Sequence, residues 1–253
     1  MLGELLNLNL FGFFLIFARL GAAFAFMPGF SASYISVNFR LLLALAVTFV
    51  VTPMLIADLP VIPDSAVGLG LLLIGEILIG SFFGLMGRAA MAALHTTGTM
   101  ISYLSSMANA FIQDPISEQQ GSVISGFLMT MGAVLVFVMD IHHLMLRAVI
   151  QSYALFVPGE MPMLGDLTQM FARQVMDSFS LGIQLASPFL VTGITHYVML
   201  GILGRLMPAL PVFFFGLPIQ IVTQLSVMVL VVSSIMLVFM AQYSEMYGAF
   251  VIP

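Results

Sequence analysis

The chain has 253 residues, of which 61% are hydrophobic and only 7% charged. A soluble domain carries roughly a quarter charged residues, so this composition excludes one and points to an integral membrane protein. The six basic residues are all arginine and leave a net charge of −5, which argues against nucleic acid as a partner, and the lack of cysteine removes disulfides and thiolate metal sites.

No basic residue precedes Arg19, so the N-terminal stretch lacks the basic region of a secretory signal and reads as a retained apolar helix. Apolar stretches run over 5–28, 39–57, 66–94, 122–156, 167–206 and 209–243. A bilayer crossing needs about 20 apolar residues, so six or more crossings are expected. Turn signals separate the stretches: "MPGFSAS" at 27–33, "DLPVIPDS" at 58–65 and "VPGEMPMLGD" at 157–166. Strand-like alternation at barrel spacing is missing, which predicts an all-α, polytopic hydrophobic protein folded as a single domain over 1–253.

Ionisable residues interrupt these stretches. Arg19 lies in the first, Glu76 and Arg88 in the third, Asp177 and His196 in the fifth. A charge at the centre of a membrane helix costs about 2.5–3.5 kcal/mol on insertion scales, so these side chains are expected to face protein as buried pairs, with a lined pathway as the sharper alternative. Gly80 and Gly84, and Ser178, Gly182 and Ala186, repeat at the four-residue spacing that lets helix backbones approach closely. The segment 95–122, "HTTGTMISYLSSMANAFIQDPISEQQGS", is the least membrane-like interior stretch and reads as a long loop, external, buried or lining a cavity.

Asp140, His143 and Arg147 share one helical face, whereas His142 and His143 point about 100° apart. Zinc wants three or four converging ligands, so the cluster reads as a polar helix–helix stripe, with neither metal nor cofactor. Ser152 has no nucleophile-elbow turn and no base, which gives no support for an enzyme. Towards the C-terminus every residue from Leu206 to Ser244 is uncharged, yet Pro208, Pro211 and Pro218 lie in that run and are expected to break the helix. Broken helices and intramembrane charges are also transporter features, but no pair of repeated halves accompanies them.

Several of these segments, in order, resemble the FliR family of flagellar export-gate membrane proteins. They are "FARLGAAFAFMPGF", "NFRLLLALAVTFVVTP" and "GEILIGSFFG", then the run from "AALHTTGTM" to "YALFVPG". That run holds the Asp114-Pro115 turn, the Asp140-x-His142-His143 cluster, Ser152 and Pro158-Gly159. Arg205, Pro208, Val212, Phe213, Gly216 and Pro218 match a further family pattern, while Ala209 stands where glutamine is usual and Pro211 replaces a polar residue.

The resemblance implies a chain similar to a FliP and a FliQ subunit joined together, with broken helical hairpins. FliP-like, FliQ-like and FlhB-like proteins are the implied partners, in a cone around a protein-conducting channel at the bacterial inner membrane and flagellar basal body. Part of that cone stands above the bilayer, and its cargo is unfolded exported protein. Met107, Ala108, Asn109, Ala110, Phe111 and Ile112 would form the plug that keeps the resting pore closed. Arg19, Glu76, Arg88, Asp140, His143 and Arg147 would be buried polar or assembly residues. A homologous virulence secretion gate and, less favoured, a small-solute transporter are the alternatives.

Overall fold

A computed structural model of the chain describes residues 2–32, 34–56, 59–107, 111–113, 120–160, 162–207 and 212–251. Among them are seven helices: α1 (Leu2–Phe26), α2 (Val37–Leu55), α3 (Ala66–Leu104), α4 (Val123–Val138), α5 (Ile141–Leu155), α6 (Leu164–Leu206) and α7 (Val212–Gly248). The protein is all-α in class and polytopic, as its composition requires. One short antiparallel ribbon departs from that pattern: β1 (Phe111–Gln113) pairs with β2 (Gln120–Ser122), with Phe111 opposite Ser122 and Gln113 opposite Gln120.

Three boundaries differ from the sequence reading. First, α3 continues to Leu104, so residues 95–104 are helical and not loop. Their hydroxyls make this possible by bonding back to the preceding turn: Thr97 to the Ala93 carbonyl at 2.8 Å, Thr99 to His95 at 2.8 Å and Ser102 to Gly98 at 2.8 Å. A polar side chain satisfied by its own helix needs neither water nor a loop. Second, the apolar run 122–156 is two helices bent by 73°. The bend turns on Asp140, whose backbone is left-handed at φ 57°, ψ 15°, a conformation that stops α4 and restarts the chain as α5. Third, among the described residues four helices are long and apolar enough to cross a membrane, or five if the bent pair is one span, against the six or more expected.

By contact the chain forms two compact units. The first comprises Met1–Ala90, Val136–Gln174 and Tyr243–Pro253. Its core takes Leu15, Ile16, Leu20 and Phe24 from α1, Met27 just beyond it, Ile79 and Phe83 from α3, and Met145, Ala148 and Val149 from α5, all fully or almost fully buried. Glycine sets the closeness of α1 and α3. A Cβ at Gly84 would lie 2.7 Å from the Phe26 Cβ and 2.8 Å from the Ala23 carbonyl oxygen, and one at Gly80 would fall on the Arg19 carbonyl. Tyr247 closes the unit by donating its hydroxyl to the Phe83 carbonyl at 2.9 Å.

The second unit comprises Met91–Leu135 and Val175–Gln242. Here α6 lies against α3 at Gly182, where a Cβ would come within 2.8 Å of the Thr96 Cβ, and Thr97 donates to the Gly182 carbonyl at 3.1 Å. Ala186 and Phe189 continue this buried face of α6, and Leu128 buries α4. The small-residue spacings at 80/84 and 182/186 therefore serve helix contacts inside this chain, where backbone approach supplies the dispersion and weak polar contacts that lipid exclusion does not.

These contacts make a graded expectation. Gly84→Val should destabilise the detergent-purified protein by about 1–3 kcal/mol, the usual cost of overpacking. Gly70→Ala, where a Cβ meets nothing within 4 Å, should leave the thermal unfolding midpoint unchanged or raised.

Candidate functional site

The densest polar construction in the first unit centres on Arg19, which is 0% exposed. Its Nε donates to Glu76 Oε2 at 2.6 Å and its Nη2 to Glu76 Oε1 at 2.9 Å, a two-pronged pairing of α1 with α3. Nη1 donates to Ser152 Oγ at 3.1 Å, and Nη2 also donates to the Phe156 carbonyl at 3.1 Å at the end of α5. The guanidinium carbon lies 3.7 Å from the centre of the Tyr153 ring, a cation–π contact on its remaining face. The sequence placed Arg19 and Glu76 among the buried polar groups, and the structure joins them directly. Ser152, which carries no nucleophile chemistry in the sequence, is the third member of this cluster.

The other expected buried groups sit differently. Arg88, Asp140, His143 and Arg147 are exposed on the surface of the chain, as is Asp177. Helical phase explains this for Arg88, His143, Arg147 and Asp177, whose faces on α3, α5 and α6 are not those that pack on the chain's own core, while Asp140 stands at the bend before α5. Asp140 Oδ1 and His143 Nδ1 are 3.5 Å apart. His196, by contrast, is buried, with Nε2 3.1 Å from the Gly216 carbonyl oxygen. Of the three prolines expected to break the last apolar run, Pro208 and Pro211 lie outside the described residues. Pro218 lies inside α7, which runs without interruption from Val212, so it does not break the helix. It falls in the second turn, where its missing amide removes only one ladder bond.

In the second unit, the described residues flanking 108–119 are held by polar contacts. At one foot, Ser106 adopts a left-handed backbone at φ 58° and the Met107 amide donates to the Ser102 carbonyl at 3.0 Å. Gln220 of α7 completes this foot: its Nε2 donates to the Leu104 carbonyl, and its Oε1 accepts from Ser106 Oγ at 3.1 Å. At the other foot, Ser122 Oγ accepts from the Ser125 amide at 3.1 Å and so caps the start of α4. Gly98 of α3 lies so close to the Ser125 backbone that no Cβ fits. Ala108, Asn109 and Ala110 of the expected plug lie outside the described residues, while the backbones of Phe111 and Ile112 belong to β1.

Gln220 escaped the sequence reading. Its signal is present, because Gln220 and Gln224 stand four residues apart in an otherwise apolar run and so share one helical face. Both are buried, Gln220 at 0% and Gln224 at 2% exposure, and Gln224 accepts from Thr192 Oγ1 at 3.2 Å.

A sequence model of the family described as bacterial export proteins, family 1, matches residues 10–246. The chain is 34% identical to the flagellar biosynthetic protein FliR of Caulobacter vibrioides over 236 residues, covering 93% of this chain and 94% of that one. Likeness to the FliR of Escherichia coli is 29% over 213 residues, covering 83% and 80%. For the FliR of Bacillus subtilis it is 26% over 231 residues, covering 89% and 88%.

The Arg19 cluster leads to a paired expectation. Arg19→Ala leaves the Glu76 carboxylate buried and unpaired, which should cost about 3–5 kcal/mol in thermal or chemical unfolding of the detergent-purified chain. The double replacement Arg19→Met with Glu76→Leu removes both charges together and should recover most of that loss.

Proposed function

The chain belongs to the bacterial export proteins, family 1, and from that membership we propose that it is a non-enzymatic core subunit of the flagellar type III protein export gate. With FliP-like and FliQ-like subunits it builds the protein-conducting channel, beside an FlhB-like switch protein, and passes unfolded substrates. A flagellar gate is favoured over a virulence gate because the curated relatives carry the name flagellar biosynthetic protein FliR. The 253 residues act as one export-gate domain of the bacterial inner membrane and basal body.

The observation that carries this reading is surplus helix length. The 39 residues of α3 and 43 of α6 extend about 58 Å and 65 Å at helical rise. The hydrocarbon core of a bilayer is about 30 Å thick. Along α6 apolar side chains stay exposed over nearly the whole length, among them Leu164, Val175, Phe179, Val191, Val198 and Leu206. An apolar surface longer than lipid can cover calls for protein to cover the rest. Part of the assembly therefore stands above the bilayer plane, and Arg88, Asp140, His143 and Arg147 supply polar contacts to neighbouring subunits there.

Residues 107–112 act as the plug. Met107, Phe111 and Ile112 supply apolar bulk, Ala108 and Ala110 permit tight folding, and Asn109 favours a turn. What supports this is the footing on either side: Gln220 bonds Leu104 and Ser106 before the segment, and β1 pairs with β2, which ends at Ser122. A seal needs apolar atoms across the channel, whereas assembly rests on the helices outside the segment.

Co-expression with FliP-like and FliQ-like subunits should yield one monodisperse complex by native mass spectrometry. A stable monomer that moves a small solute into liposomes would overturn the gate reading. Deleting residues 107–112 from the assembled complex should raise its baseline conductance in planar bilayers while the subunit composition stays the same. An unaltered baseline in an intact complex removes the plug.

A further inference from the structure

The geometry points to a divalent metal site at the bend between α4 and α5, formed by Asp140, His142 and His143, for a zinc-like transition-metal cation. One ligand atom from each of the three side chains lies within 4.8 Å of the other two. In sequence the two histidines are adjacent and diverge on an ideal helix. The start of α5 brings their rings to 4.1 Å between centroids, tilted by 38°.

Three features distinguish this group from an incidental surface pair. The 3.5 Å between Asp140 Oδ1 and His143 Nδ1 is long for a hydrogen bond, yet it is the separation of two ligands on one cation. Metal–ligand bonds of about 2.0–2.2 Å place neighbouring donor atoms roughly 3–3.5 Å apart. Asp140 occupies the N-cap position of α5 but makes no side-chain capping bond, so its carboxylate oxygens are free of the role that Asp usually takes there. His142 Nδ1 is buried and has no hydrogen-bond partner among the described residues, a costly state for a ring nitrogen at this place. Phe137 packs beside the His142 ring at 5.2 Å and helps to hold its orientation.

The helix ends at the bend do not oppose a cation. The carbonyl end of α4 at Val138 adjoins the amide end of α5 at Ile141, so the partial charges of the two helix ends oppose each other at the bend. Two imidazoles and one carboxylate form a borderline donor set suited to zinc, cobalt or nickel rather than calcium or magnesium. Three protein ligands leave a coordination position for water or for a donor from a neighbouring subunit. A bound cation would tie the hinge residue Asp140 to the first turn of α5. The inference uses residues of this chain alone and does not depend on the plug or on the export reading.

The full chain, purified in detergent with any histidine tag removed, is titrated with cobalt and with zinc as the simple salts. The expected result is a single equivalent of cobalt with visible d–d bands, displaced by zinc, and a zinc-dependent rise in the unfolding midpoint. Asp140→Asn keeps a residue that tolerates the left-handed backbone, and His143→Gln changes an exposed side chain, so both variants should fold. Each should bind at least about tenfold more weakly, with an unchanged midpoint in the absence of metal. His95→Gln, at an exposed histidine elsewhere in the chain, should bind like the parent protein. Absence of cobalt binding, affinity untouched by Asp140→Asn and His143→Gln, or an equal loss in His95→Gln would each overturn the site.

Discussion

The ion pair between Arg19 and Glu76 is the constraint around which the first compact unit is arranged. An ion taken from water into an apolar interior forfeits hydration worth, in the idealised limit, on the order of 20 kcal/mol. The pair persists because nearly every donor of the guanidinium is used: four hydrogen bonds, to Glu76 twice, to Ser152 and to the Phe156 carbonyl. Tyr153 covers the cation face. These partners come from α3, α5 and the residue that ends α5, so one arginine of α1 fixes three helices in relation to one another.

The close packing of α1 on α3 belongs to the same construction. Gly80 lies one turn beyond Glu76, and its missing side chain leaves room for the Arg19 carbonyl. A bidentate contact 2.6–2.9 Å long requires backbones close enough for a short carboxylate to meet a guanidinium. Gly84 and Ala23 extend that approach by another turn. The electrostatic and the steric arguments therefore select the same helix spacing, and neither would suffice alone in an environment where lipid competes for apolar contact.

Polar residues in the second unit follow a different rule. Helical serines and threonines such as Thr97 and Ser102 bond back to their own helix, to the Ala93 and Gly98 carbonyls. Gln220 and Gln224 do the reverse. Their amides leave their own helix and reach Leu104, Ser106 and Thr192. Such bonds matter here because water is not available to replace them in an apolar setting. That difference in reach separates residues that let a helix continue from residues that hold a neighbouring segment in place.

Composition and order of residues by themselves determined the class: an all-α membrane protein, rich in close helix contacts, with ionisable residues inside its apolar stretches and a chain-long likeness to export-gate proteins. Those properties are sums over many residues or follow from one-dimensional spacing, so they survive without coordinates. Tertiary structure decided which side of each helix meets protein. It buried Arg19 and exposed Arg88, two arginines of equal hydropathy, because only the phase of α1 and α3 against their neighbours distinguishes them. It carried α3 through the polar residues 95–104, since the hydroxyl bonds that permit this depend on backbone geometry that composition does not record. It turned Asp140 into a left-handed hinge and brought His142 beside His143, where ideal helical spacing sends them apart. Hydropathy is additive along a chain, whereas a bend, a helical phase and a convergence of side chains depend on where distant residues pack.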